Sequence, residues 1–317
     1  MAAPLSAPGP KPWPQLDYSG WADTCATLQL WTQVVGKVRL ALAPHVNHWW
    51  QVALYVTARG LTTSPMPYRG QYVQIDFDFI DHRLLIRMSD GRQEQLALVP
   101  RTVADFYHEV MRHLRALGVE VRIWTMPVEI PDAIPFDADN VHASYDAKAA
   151  HTFWRQLVQV DRVFKNFRSP FLGKCSPVHF FWGSFDLAVT RFSGRAAPPI
   201  MRAAPNVGQW VMQEAYSHEV SSAGFWPGNG GFGKPAFYAY AYPEPEGFAQ
   251  AKVRPQEAHY DSALGEFVLP YDTVAQSATP DDTLLEFLQA TYEAAADRGK
   301  WDRELLERNI IRGFELH

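Results

Sequence analysis

Apolar residues recur along this chain with two different periods, and the switches between them divide it into elements. Over residues 21–42 the spacing is helical, with Leu28, Trp31, Val34, Val35, Val38 and Leu42 on one side and Pro44 just beyond. Over 47–59 the period is two, which predicts a half-buried strand with His48, Trp50, Val52, Leu54, Val56 and Ala58 on one face. Residues 72–79 alternate again, 84–88 return after a turn at Asp81-His82, and Asp90-Gly91, where positive φ is tolerated, leads into 95–99. Together these predict an antiparallel meander. Residues 102–117 form an amphipathic helix stopped by Gly118, 119–126 read as a further strand, and the Pro- and Asp-rich run 127–140 reads as a linker or long loop.

The second half repeats this grammar. A helix is expected over 147–167, then the stretch 173–194, read as one bent strand or two joined at Gly183-Ser184. A Pro/Ala/Arg loop and a short helix at 207–215 follow. An extended segment over 216–226 runs into the turn Pro227-Gly228-Asn229-Gly230-Gly231. Strict alternation over 237–242 puts Tyr238, Tyr240 and Tyr242 on one face; a strand at 266–271 and helices at 282–297 and 301–311 complete the chain.

Residues repeat as well as elements. The ten residues from Trp31 match the ten from Trp154 at four positions: Trp31/Trp154, Gln33/Gln156, Val35/Val158 and Arg39/Arg162. Each helix is followed by a proline and then His-aromatic-aromatic, His48-Trp49-Trp50 and His179-Phe180-Phe181. Val103-Ala104-Asp105-Phe106 and Leu284-Leu285-Glu286-Phe287 both open helices that stop at glycine. The expectation is an α+β protein of two related units from an internal duplication, each an antiparallel meander flanked by helices. A single unit would leave one sheet face bare, and pairing two covers it. The boundaries are a disordered lead-in at 1–14, a first unit at 15–130, a linker at 131–145 and an expanded second unit at 146–317, the two fused into one body.

Composition narrows the class. Of 317 residues 47% are hydrophobic and 20% charged, as in a globular chain. The net charge of −5 comes without any Lys/Arg cluster, which argues against a nucleic-acid partner. No apolar run reaches the ~20 residues that span a bilayer, and the Pro/Ala-rich start lacks a signal peptide's apolar core. Cys25 and Cys175 are the two cysteines, which suits a reducing, cytoplasmic setting. Aromatic residues make up 14%, a supply for broad sheets or for a pocket that takes a flat or apolar ligand.

The run from Gly173 to Arg195 and the segment from Glu214 to Gly228 (Glu-Ala-Tyr-Ser-His-Glu-Val-Ser-Ser-Ala-Gly-Phe-Trp-Pro-Gly) resemble the signature of a bacterial family of unknown function. The segments from Ile75 to Arg83 and from Tyr240 to Phe248 are similar to that family too. The resemblance covers nearly the whole chain after the lead-in. It implies a soluble bacterial protein and transfers no reaction, cofactor or catalytic residue.

Known cofactor signatures are missing: there is no phosphate loop, dinucleotide fingerprint, His-Glu-x-x-His helix, Cys-x-x-Cys pair or nucleophile elbow. The candidates are therefore single side chains. His179 opens the central strand on a face assigned to Phe181, Phe185, Leu187 and Val189, where a satisfied core histidine is the bland reading and a ligand or base the sharp one. His48 is its counterpart. His218 and Glu219 lie in a polar strand segment and point to opposite faces. Asp186 could orient a histidine or bind a cation, or pair structurally with Arg191. Asp76 and Asp78 look like an exposed alternating pair, and Cys175 like a loop thiol.

The leading expectation is a small-molecule enzyme with its pocket between the units. His179, His218, Glu219 and Asp186 are the catalytic candidates, and His48, Trp182, Arg191, Trp226 and Tyr240 the ligand-binding ones. His179, His218 and Glu219 would hold one divalent transition metal, or else act as acid, base and carboxylate. The rival is a non-catalytic protein with an aromatic-walled pocket for a small ligand. A scaffold whose aromatics only fill the core and an oligomer interface is the third reading.

Overall fold

The structure, a computed structural model, describes residues 13–201 and 203–308. Its α-helices are α1 (Ala22–Leu42), α2 (Val103–Ala116), α3 (Ala147–Arg168), α4 (Gln209–Ala215), α5 (Tyr271–Ala275), α6 (Pro280–Arg298) and α7 (Arg303–Leu306). The first six strands are β1 (Tyr55–Val56), β2 (Gly60–Thr62), β3 (Met66–Tyr68), β4 (Gln71–Asp78), β5 (Arg83–Met88) and β6 (Gln93–Ala97). The second six are β7 (His179–Phe181), β8 (Asp186–Ala196), β9 (His218–Trp226), β10 (Ala236–Tyr242), β11 (His259–Asp261) and β12 (Glu266–Pro270).

The fold is α+β with two antiparallel six-stranded sheets. One runs β1-β2-β4-β5-β6 with β3 paired on β4; the other runs β11-β12-β10-β9-β8-β7. They meet at their β1 and β7 edges, where Leu54 and Phe180 exchange two backbone hydrogen bonds of 2.9 Å. One hydrophobic cluster runs through both halves. In the second sheet Leu187, Val189, Phe225, Phe237 and Leu269 alternate onto the face that α3 and α6 cover. Helix starts follow local chemistry: the Thr102 hydroxyl accepts from Asp105 N at 3.0 Å, and the Asp146 carboxylate accepts from Lys148 N at 2.8 Å.

Each half repeats the order helix, sheet, helix, as the sequence repeats suggest. Three expectations change. Residues 47–59 are not one strand: Asn47–Val52 is a 3-10 turn in which His48 and Trp49 both take left-handed φ (59° and 62°). His48 therefore does not hold the place that His179 holds on β7. Residues 119–126 form no strand, because their backbone bonds go to single partners such as Leu114 O and Tyr68 Oη. The stretch 173–194 takes the second of its two readings, two strands, β7 and β8, joined by a hairpin at Gly183-Ser184. Lastly, Trp13 and Pro14 are anchored: Trp13 is buried against Phe237 and Tyr271, and Pro14 O accepts from Gln156 and Tyr271. The rest of the expected lead-in, residues 1–12, lies outside the described residues, as does the end of the helix expected over 301–311, which is seen only as α7.

Candidate functional site

The hairpin between β7 and β8 sets the site. Pairing of His179 with Ala188 and of Phe181 with Asp186 puts Asp186, Ala188 and Thr190 on one face, with Leu187 and Val189 on the core face. Across the sheet that face continues through Trp226, Gly224 and Ser222 of β9 to Tyr238 and Tyr240 of β10. Gly224 is the enabling residue. A Cβ there would lie 2.2 Å from the Tyr238 ring, so only glycine lets Tyr238 lie across β9 and donate its hydroxyl proton to Asp186 on β8. Trp226 stacks on the same ring, with centroids 4.4 Å apart. Ser184 donates to the other Asp186 oxygen.

A second carboxyl group meets this one from the loop after α2. Helix α1 holds that loop with residues one turn apart. The Gln33 amide donates to Val128 O and accepts from Val128 N, both at 2.9 Å, and Lys37 donates to Met126 O at 2.5 Å. Gln29, a turn earlier, donates to Gly183 O at 2.7 Å, so one helix face grips both loops of the site. The clamp leaves the next residue, Glu129, with left-handed φ (59°), a conformation that is costly for a side chain other than glycine and recurs at functional sites. Its carboxyl lies against Gly183, where an added Cβ would come within 2.2 Å of Oε1.

Glu129 opens onto a cavity of about 520 Å³ walled by Leu30, Ile130, Trp226 and Phe232 and lined also by Ser184, Asn229 and His142. On its other side it lines a second cavity of about 400 Å³. Glu129 is a solvent-exposed residue through this space, although protein atoms crowd around its carboxyl. That enclosure first, and the Asp186 charge second, push its carboxyl up to about 7. Burial raises Asp186 to about 6, against the pull of its bonds from Ser184 and Tyr238. Both carboxyls are thus held above the ordinary range, and the Asp186 charge favours the proton on Glu129. A buried acid beside a cavity-facing carboxyl that changes charge near neutrality can exchange a proton with a bound molecule.

A model of a family of unknown function, DUF5996, matches residues 13–308. The chain belongs to this family. No curated protein and no solved structure matches it.

In this DUF5996 chain the predicted residues part company. Asp186 and Trp226 sit in the site, and Trp182 flanks it, its ring against Gly36 of α1 and its Nε1 donating to Val52 O at 2.7 Å. Tyr240 lies in the next row, stacked 6.2 Å from Tyr238 and hydrogen-bonded to the Tyr216 hydroxyl. Arg191 is not Asp186's partner, because strand parity sends it to the opposite face. There it is buried between Phe167 and Tyr292, 3.5 and 4.3 Å from the ring centres, and donates to Phe167 O.

His179, 1% exposed, lies on the Asp186 face and not with Leu187 and Val189, since the hairpin inverts the parity read through it. Neither of its ring nitrogens has a hydrogen-bond partner among the described residues. Burial, with Arg39 and Arg168 nearby, lowers it to about 3. It is linked to His218 only through a file of rings: Trp50 at 5.6 Å from His179, His48 at 5.3 Å from Trp50, His218 at 5.7 Å from His48. His48 bonds to Glu214 O and Lys174, and Glu219 pairs with Arg195 at 2.6 Å. The expected grouping of His179, His218 and Glu219 is thus not assembled, and no group of three or more His, Cys, Asp and Glu side chains among the described residues is placed to hold a metal ion. Asp76 and Asp78 pair with Arg87 and Arg59, and burial raises the Cys175 thiol despite Arg168 and Arg191.

Sequence reasoning missed Glu129, Gln33 and Ser184. Glu129 falls in the run read as a linker, and its one local mark is an acid between Val128 and Ile130 in a proline-bounded stretch. Gln33 carries a signal of its own, being one of the residues repeated between the halves.

Proposed function

We propose that the chain binds a small molecule in the cavity at Glu129 and acts on it by acid–base chemistry, with Glu129 exchanging the proton and Asp186 setting its affinity for it. The observation that carries this reading is the pair itself: two carboxyl groups from distant parts of the chain, one opening onto a cavity from strained backbone, the other buried on Tyr238 and Ser184. Trp226 and Phe232 offer an apolar wall to the substrate, and Asn229 and His142 offer hydrogen bonds. The two cysteines are unbridged, which supports a reducing, cytoplasmic setting. No helix among the described residues is long and apolar enough to cross a membrane.

The test is a turnover screen. Wild-type protein and Glu129→Gln are incubated with a mixture of small metabolites at pH 6 and pH 8, and consumption is followed by mass spectrometry. A compound consumed only by the wild type, with a rate that changes across pH 7, is the expected result. Compounds that stabilise both proteins equally and are not consumed would leave the rival reading, a binding protein.

A further inference from the structure

The second cavity differs in character from the first. Four tryptophans line it, Trp49, Trp124, Trp182 and Trp210. Two of them stand largely in solvent at its rim, Trp124 at 60% and Trp210 at 63% exposure. Trp49 and Trp210 meet edge to face with centroids 4.9 Å apart. Indoles left in water at the mouth of a cavity cost free energy that a ligand's apolar face would recover.

Charge narrows the ligand. Lys37 and Arg122 line the same cavity, and neither forms an ion pair among the described residues. The Lys37 ammonium lies 4.7 Å from the Trp124 ring centre and bonds only to Met126 O, which braces that indole at the rim. Burial lowers Lys37 to about 8, so it keeps its charge in mildly acidic solution. The acid on this wall is Glu129, whose raised proton affinity weakens its repulsion of an anion in mildly acidic solution.

We propose that this cavity is a binding site for a planar aromatic anion, its ring held among Trp49, Trp124 and Trp210 and its carboxylate or equivalent acid group held by Arg122, with Lys37 adding to the positive field. Indole faces and edges suit a flat ring. A guanidinium with no internal partner suits a carboxylate in two-pronged contact. The site does not depend on Glu129 performing chemistry.

Three probes of one shape test it on the intact chain by calorimetry at pH 6: 2-naphthoate, 2-naphthol and 2-naphthylmethylammonium. Naphthoate should bind best. Arg122→Ala should weaken it about tenfold while leaving naphthol nearly unchanged. Trp210→Ala should weaken naphthoate and naphthol alike, also about tenfold. The calorimetry reads binding and not turnover, so its failure is distinct from failure of the acid–base reading. The proposal is overturned if the ammonium probe binds as well as naphthoate, if no probe binds, or if Arg122→Ala leaves naphthoate unaffected.

Discussion

Protonating His179 should destabilise the fold, and the structure sets the size of the effect. The imidazole is buried beside Trp50, Tyr55 and Phe181, with the guanidinium groups of Arg39 on α1 and Arg168 on α3 nearby. Its folded-state value is lowered from 6.5 to about 3. The folded state therefore binds this proton less readily than the unfolded chain, and stability is lost as pH falls below 6.5. Each unit costs about 1.4 kcal/mol, so at pH 5 the loss through this residue is about 2 kcal/mol. Asp186 and Glu129 act in the opposite sense, gaining stability as pH falls, and would mask the effect in the wild type alone. The measurement is a difference: urea unfolding of wild type and His179→Leu at pH 7.5 and pH 5, where the carboxyl contributions cancel. The wild-type stability minus that of the variant should drop by about 2 kcal/mol on acidification. At pH 7.5 the variant should be as stable or more so, since it removes a buried polar ring that has no hydrogen-bond partner among the described residues. A difference constant to within about half a kcal/mol would refute the argument, as would an NMR titration in which the His179 ring of the folded protein protonates near its ordinary value.

Gln33→Ala should lower stability by about 2–3 kcal/mol in urea unfolding, because it strands both the Val128 N–H and its carbonyl; a loss below about half a kcal/mol would show that the loop is held elsewhere. Gly183→Ala should cost less than about 1 kcal/mol, since the clash is with the free end of Glu129, yet it should displace that carboxyl and shift its titration away from about 7. Tyr238→Phe should raise Asp186 further, because it removes a bond to the charged form, and a carboxyl titration by NMR would show it. Two thiols should be titratable in unfolded, unreduced protein, and in the folded protein Cys25, wholly buried in α1, should react far more slowly than Cys175.

The fold was largely legible because its elements are periodic. The stripe along α2, the alternation of β4 and the alternation of β10 each report burial directly in the order of residues. Parity was lost at one place, the turn from Trp182 to Phe185, where a hairpin reverses the chain and a face read straight through comes out inverted. His179 went to the wrong neighbours for that reason. Residues 47–59 failed differently: their alternation is real, but His48 and Trp49 take left-handed φ in a turn held by contacts to residues near 214, which no local pattern encodes. The site shows the limit most clearly. Asp186 could be picked out as an acid opposite an apolar face. Glu129 could not, because what places it is Gln33, 95 positions from the backbone it grips at Val128.

The Leu54–Phe180 junction bears on mechanics. Its two backbone hydrogen bonds fix the register of the sheets, while the hydrophobic cluster shared by both halves resists bending about the seam. Two hydrogen bonds from the long helices to the opposite half add to this: Gln29 of α1 to Gly183, and Trp154 of α3, whose indole donates to Thr57 O at 3.1 Å. The α1 bond ends on the hairpin that carries Gly183 against Glu129. Through Gln33 the same helix also holds the loop that carries Glu129, so α1 fixes both carboxyl groups at once. The spacing of the two carboxyl groups, and with it the repulsion that, after burial, raises Glu129, is set by a single helix and not by the edge where the sheets touch.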